Sequence, residues 1–293
     1  MNKFLSLLLV GLMGCSAPEV APEVAPQVLS FSAIPDQNST QLKAKFDRLA
    51  QHLGAELGVE VRYVPSTDYT ASVEMFKSGD VQLAWFGGLT GVQARKAVAG
   101  ARAIAQGVED PNYKSYFIAN KGTGLTKADA FPEGIKSLRF TFGSQASTSG
   151  RLMPEHFIRE NTGQGPMEWF EQTPGFSGAH DKTAQLVASG AVDAGVLSYK
   201  TYDKMVADGR IDAEQAPIIW ETPPYADYNF TAHPDLETKF GDGFTDKLAA
   251  TLIAIKDPEL LGAFPRSGII AAKNSDFDSI AEVAQSLGML GAQ

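Results

Sequence analysis

The segment Phe142–Ile158, FGSQASTSGRLMPEHFI, concentrates hydroxyl side chains at Ser144, Ser147, Thr148 and Ser149 and then supplies Gly150. The cluster itself holds no histidine, cysteine or carboxylate. It follows the apolar run LRFTFG, which reads as a strand, and it leads into a helical pattern. A strand opening through Gly-Ser into the start of a helix aims backbone N–H groups, hydroxyls and the positive end of a helix dipole at one point, which suits an anion. Hydroxyls add oriented donors without fixed charge, and Gly150 allows the main chain to come close. The plainer reading is a Ser/Thr N-cap, the ordinary use of these residues at a helix start. The hydroxyls exceed what one cap needs, which favours the anion.

Catalytic readings of the same residues fail on arrangement. The chain has no G-x-S-x-G elbow and no S-x-x-K, and the serine cluster does not single out one nucleophile. His52, His156, His180 and His233 are far apart in sequence, with no H-x-x-x-H or paired-cysteine spacing, so no metal centre and no cofactor are expected. A phosphate-binding G-x-x-x-x-G-K-[ST] loop is also missing. The formal net charge of −9 argues against nucleic acid as a partner, because binding a phosphate backbone requires a concentrated basic face. It does not argue against a small anion, which a local donor set can hold.

These residues need elements to position them. Residues 1–14, MNKFLSLLLVGLMG, read as an export signal too short to span a bilayer. Cys15, the only cysteine, ends an LMGC sequence similar to the site at which bacterial signal peptides are cut and the new terminal cysteine is acylated. Residues 15–27, Cys15 and most of the repeat APEVAPEVAPQV (17–28), read as a semi-rigid, extended tether. From Val28 the pattern alternates between strand and helix, the mark of an α/β fold. VLSFSAI reads as a strand, Leu42, Phe46, Leu49, Leu53 and Leu57 recur at helical spacing, and VEVRYV is a second strand. A helix over about 69–78 leads into the strand of SGDVQLAWFGG, whose mixed apolar character suits a buried parallel sheet. The device VEMFKSGDVQLAW returns as AQLVASGAVDAGV, which fits two lobes of similar build. Further strands are expected at ARAIAQGV, YKSYFIAN, LRFTFG and PIIWETP, and helices at 245–255 and 277–287.

Four motifs together resemble one family. STSG after FTFGS, DYTASVEMFKSGDVQLAWFGG, GAHDKTAQLVASGAVDAG and IIWETPPYADYNF look like the phosphonate/phosphite substrate-binding proteins of ABC importers, and within them a subgroup labelled selenate-binding. The resemblance implies a type II periplasmic binding protein, with two α/β lobes, a ligand cleft between them and a two-crossing hinge. Lobe 1 is expected over 28–116 plus 228–293, and lobe 2 over 117–227. It also implies a monomer exported to the cell surface or periplasm, held to the membrane through Cys15 and delivering ligand to a permease. A ligand-sensing receptor on the same fold is the alternative.

Carried over position by position, the family's ligand contacts fall on Tyr69, Tyr113, Ser147, Thr148, Ser149, His180 and Asp227, with Lys200, Tyr228 and Trp85 as further candidates. Each has an ordinary alternative. The tyrosines could pack, His180 could cap a helix or lie at the surface, and Asp227 could be a turn residue. Lys200 stands where aminoalkylphosphonate binders carry a carboxylate for the ligand's ammonium, which disfavours such ligands here; it could also snorkel to solvent. A buried Asp227 facing an anion would require a shared proton, so it would select phosphite, phosphate or an alkylphosphonate over selenate and sulfate.

Overall fold

A computed structural model describes residues 27–37 and 39–290. The expected export signal, Cys15 and nearly all of the tether lie outside the described residues. The first half of the described chain runs β1 (Val28–Ala33), α1 (Ser39–Leu57), β2 (Glu60–Tyr63), α2 (Tyr69–Lys77), β3 (Leu83–Phe86), α3 (Gly88–Ala97), β4 (Arg102–Gly107), β5 (Ser115–Ala119), β6 (Phe140–Phe142), α4 (Met153–Thr162) and α5 (Pro166–Trp169). It continues through β7 (Gly175–Phe176), α6 (His180–Ala188), β8 (Ala194–Ser198), α7 (Tyr199–Ala207), β9 (Ile218–Glu221), β10 (Asn229–Ala232), α8 (Asp235–Phe240), α9 (Phe244–Ala254), α10 (Pro258–Leu261), β11 (Ile269–Ala271) and α11 (Asp278–Ser286).

The strands form two sheets, ordered β11-β4-β10-β3-β1-β2 and β7-β6-β8-β5-β9. The chain therefore passes from the first sheet to the second in 108–114 and returns in 222–228. These crossings pair with each other: Tyr113 N donates to Tyr225 O at 2.8 Å, Tyr225 N to Tyr113 O at 3.0 Å, and Asp227 N to Asp110 O at 3.0 Å. Backbone hydrogen bonds thus join the two crossings into one short ribbon, which sets the two lobes side by side.

The apolar spacing of α1 does what its period requires. Leu42, Phe46, Leu49, Leu53 and Leu57 are all buried in the hydrophobic core, with Phe46 against Phe31 of β1 and Tyr63 of β2. Full burial stabilises each such side chain by roughly 1.5–3 kcal/mol. The duplicated helix-Gly-strand device is real in both lobes. α2 ends before Gly79 (φ 78°) and turns into β3, while α6 ends before Gly190 (φ 73°) and turns into β8. Both glycines occupy the left-handed region that closes a helix most cheaply.

The sheets are mixed rather than parallel. β3 pairs parallel with β1 but antiparallel with β10, and β5 pairs antiparallel with both β8 and β9. Strands β7, β10 and β11 and helix α3 carry no clear periodicity. They are short, or buried all round, so alternation could not mark them. Lobe 2 is built around an aromatic cluster in which Phe117, Phe131 and Trp220 meet edge to face, with ring centroids 5.2–6.1 Å apart.

Candidate ligand-binding site

The hydroxyl cluster does begin a helix, but through an unusual first turn. Thr148–Leu152 form a π-helical turn that continues into α4, with Leu152 N donating to Ser147 O at 3.0 Å. Such wide turns are rare and concentrate at functional sites. Ser147 is the cap, its Oγ accepting from Gly150 N at 2.9 Å. Gly150 is required by close approach: a Cβ there would lie 2.9 Å from Ser147 Oγ, 3.1 Å from Gly143 Cα and 3.2 Å from His180 Cε1. Gly143 N donates to Gly150 O at 2.8 Å, which holds the end of β6 against the turn.

Other helix starts meet the same place. Thr148 Oγ1 accepts from Leu89 N at 2.9 Å, and Asp227 Oδ1 accepts from Gly88 N at 2.9 Å. A Cβ on Gly87 would touch both side chains, at 3.1 and 3.3 Å. Helix α3 has no side-chain cap of its own, so its first N–H groups are served by lobe 2 and by the second crossing. Tyr69 opens α2 and His180 opens α6. His180 N donates to Asp36 O at 3.0 Å, a direct contact between lobes.

All seven leading candidates are at most 2% exposed, and Trp85 and Tyr228 are buried with them. Tyr113 Oη hydrogen-bonds Ser198 Oγ, the cap of α7. His180 Nδ1 accepts from Ser198 N at 3.3 Å, and its Nε2 lies 3.3 Å from Tyr228 Oη, which itself donates to Asp36 Oδ2 at 3.0 Å. Trp85 stacks on Tyr228 with ring centroids 5.5 Å apart. Three polar atoms among the candidates are buried with no hydrogen-bond partner: Tyr69 Oη, Ser149 Oγ and Asp227 Oδ2. Tyr69 Oη sits beside Ser147 without hydrogen-bond geometry, and the Thr148 and Ser149 hydroxyls lie close to Asp227. Buried polar atoms left unpaired are costly, so three of them around one hydroxyl cluster make this the candidate place for a guest that completes their bonding.

Lys200 is committed elsewhere. Its Nζ lies 2.8 Å from Glu109 Oε1, and Glu109 also accepts from Ser267 N at 3.1 Å. The lysine therefore ties α7 to the first crossing and leaves its charge paired. Residues that sequence reasoning did not single out also belong to this region. They are Asp36, Ser115, Ser198, Tyr225 and Arg266. Ser115 Oγ bonds Tyr225 Oη and donates to Ser149 O at 2.7 Å, fixing the hydroxyl cluster from beneath. Asp36 lies three residues past the end of β1, and none of the five carries a local sequence signal.

Burial pushes the Asp227 carboxyl up to about 7, against the lowering effect of the Gly88 N–H and the Thr148 and Ser149 hydroxyls. Asp36 is likewise pushed up to about 6 by burial, although Tyr228 donates to it. Burial and the nearby Arg266 pull His180 down to about 3, so its ring is neutral at physiological pH. These shifts fix how stability varies with pH. A carboxyl whose folded value exceeds its unfolded one holds an extra proton when folded, so its stabilisation is full at low pH and is lost as pH rises through about 4 to 7. His180 works oppositely, since its neutral folded form costs stability below about 6.5. Within the site two carboxyls oppose one histidine, so its contribution to the stability of the ligand-free protein is expected to fall by a few kcal/mol at most between pH 5 and 8, with Asp227→Asn flattening the curve. Melting curves across that range measure it.

Two α/β lobes joined by a pair of crossings, with a buried and under-satisfied polar site between them, define a type II periplasmic binding protein. The chain belongs to the family of ABC transporter, phosphonate, periplasmic substrate-binding proteins, whose pattern it matches over residues 31–277. Its relatives include the probable ABC transporter phosphite binding protein PhnD1 of Prochlorococcus marinus (strain MIT 9301), 38% identical over 271 residues covering 90% of this chain and 91% of that one. The phosphate-import protein PhnD of Mycolicibacterium smegmatis is 32% identical over 237 residues, covering 76% and 70%. The structure of the Prochlorococcus protein in complex with methylphosphonate superposes with a TM-score of 0.85 at 39% identity, covering 90% of this chain and 99% of the other. Proteins of this family bind transported solutes and are not enzymes, so this chain is an exported substrate-binding component of an ABC transporter and not a catalyst.

Proposed function

We propose that this chain captures a small, protonatable phosphorus oxyanion, such as phosphite, methylphosphonate or phosphate, by closure of its two lobes and passes it to a permease. The observation that carries this reading is the set of buried, unpartnered oxygens Tyr69 Oη, Ser149 Oγ and Asp227 Oδ2, contributed by lobe 1, lobe 2 and the second crossing. A tetrahedral oxyanion retaining one acidic proton matches them: its oxygens accept from the hydroxyls, and its P–O–H donates to Asp227. Sulfate and selenate carry no such proton near neutral pH and would face the carboxylate unprotected. The relatives described above are named for phosphite and phosphate, and the bound ligand in one is methylphosphonate. On this reading the selenate label does not carry over.

Closure supplies the affinity. Thr148 and His180 of lobe 2 bond to Leu89 N and Asp36 O of lobe 1, contacts that exist only when the lobes meet, so the ligand is held by the difference between open and closed donor sets. The protein acts as a monomer held to the membrane by acylated Cys15 through the 15–27 tether. Each buried methylene of the acyl chains adds roughly 0.8 kcal/mol to that hold.

Calorimetric titration near pH 7 tests the reading. Phosphite, methylphosphonate or phosphate should bind at least tenfold more tightly than selenate and sulfate; selenate binding more tightly than all three sinks it. Thr148→Ala, which strips the acceptor from Leu89 N, and Ser147→Ala, which strips the cap from Gly150 N, should each weaken binding by about 1–3 kcal/mol. Unchanged affinity in both variants would remove the hydroxyl cluster from the site.

A further inference from the structure

Arg266 is buried to 7% exposure at the heart of this region and none of its surroundings explains it as an ordinary surface cation. Its Nε donates to Asp110 Oδ1 at 2.9 Å, and its Nη2 lies 2.8 Å from the same oxygen without hydrogen-bond geometry, leaving a buried N–H unsatisfied. Its guanidinium carbon stands 4.7 Å from the Tyr228 ring centroid, 4.9 Å from Tyr113 and 5.7 Å from Trp85. All three rings belong to the candidate contact set. The space for this arrangement is made by Gly107, where a Cβ would fall 2.5 Å from both Arg266 Cγ and Asp110 Oδ2. Gly107 N donates to that second oxygen at 2.7 Å, so both oxygens of Asp110 are engaged.

We infer that Arg266 is the specificity-determining cation of the site, setting the ligand charge that the closed cleft accepts by acting through Tyr113, Tyr228 and Trp85. This rests on the oxyanion reading above. The faces of aromatic rings are electronegative and repel an anion. A guanidinium held over their faces draws that density away and places a positive charge behind the rings. The pairing with Asp110 tempers it: a bare cation would favour dianions, whereas a half-compensated one leaves room for the acid Asp227, whose backbone N–H is held by Asp110 O at 3.0 Å. The titratable groups facing Arg266 are Asp110, Asp36 and His180, with the phenols of Tyr113, Tyr199 and Tyr228. The other nearby cation, Lys200, is paired with Glu109.

The test compares phosphite and sulfate titrations, each at pH 6 and 8, for the wild type, Arg266→Lys, Arg266→Met and Asp110→Asn. Arg266→Met should weaken both anions at least tenfold and penalise sulfate more than phosphite, with phosphite binding turning more acid-dependent. Arg266→Lys should keep the wild-type order of preference. Asp110→Asn should move the other way, narrowing the phosphite-to-sulfate ratio at least threefold, because it exposes the cation's full charge. If Arg266→Met fails to fold, Asp110→Asn and Arg266→Lys decide. A folded Arg266→Met with unchanged ratio and pH profile, or an Asp110→Asn that weakens both anions equally, overturns the inference. A wild type that binds neither phosphite nor sulfate would instead count against the oxyanion reading. In that case melting shifts of the same variants across a set of singly and doubly charged oxyanions still test Arg266: a preference moved toward monoanions in Arg266→Met supports the inference, and an unchanged preference overturns it.

Discussion

Asp227→Asn should reverse the protein's preference among tetrahedral anions. The side-chain orientation is preset, because Gly88 N donates to Oδ1 at 2.9 Å and an asparagine carbonyl would accept the same bond. The amide nitrogen then replaces Oδ2, the buried oxygen with no partner. An acceptor for the ligand's proton becomes a donor toward the ligand's oxygen. Phosphite binding should fall 10- to 100-fold, about 1.4–2.8 kcal/mol, while sulfate and selenate should gain at least tenfold. The same substitution should raise the melting temperature of the ligand-free protein at pH 8, since the carboxyl pushed up to about 7 by burial is charged there and an amide is not. A site that gains stability when its key residue is neutralised is one in which strain is kept for function. Parallel titrations of the three anions check this, and an unchanged phosphite-to-sulfate ratio would show that no proton is shared at Asp227.

The second large effect concerns shape. Gly150→Val should abolish detectable binding, a loss above 100-fold, with a stability cost of about 1–3 kcal/mol. Its Cβ would press on Ser147 Oγ, Gly143 Cα and His180 Cε1 together, and two of those three neighbours cannot swing aside because they are backbone and a buried ring. The π-helical turn would have to open, carrying Thr148 and Ser149 out of line. Gly163→Ala provides the contrast. That glycine sits at φ 71° with nothing within 4 Å of its would-be Cβ, so alanine there strains the backbone by about 1 kcal/mol without reaching the site. Equal affinity loss in both variants, measured by calorimetry, would mean that general destabilisation and not the turn controls binding.

The elements that sequence periodicity could see were those with one buried face. Helix α1 shows it best, since its apolar side chains recur every three or four residues and all enter the hydrophobic core. The Ser-Gly punctuation after α2 and α6 was equally visible, because only glycine meets the left-handed turn cheaply. Strand β10 was not visible. Asn229, Phe230, Thr231 and Ala232 are all buried, polar and apolar alike, so the alternation that betrays a strand is missing. Its antiparallel insertion between β3 and β4, together with antiparallel β11, makes the first sheet mixed.

The hydroxyl cluster shows the same division at the site. Local sequence showed that a hydroxyl cluster opens a helix and that Gly150 would let the chain approach closely, without singling out Ser147 as the cap, because capping and glycine's freedom are properties of neighbouring residues. It could not determine that the first turn would be π-helical, that Thr148 would serve Leu89 across the cleft, or that Lys200 would turn to Glu109. Nor could it place Arg266, more than 150 residues from its partner Asp110. Those outcomes depend on which side chains are buried opposite one another. A carboxylate that would ordinarily be charged is pushed up to about 7, and a histidine down to about 3, only once packing removes the water around them. Residue type and spacing chose the chemistry available to this chain; the enclosure formed by two lobes decided which charges that chemistry can carry.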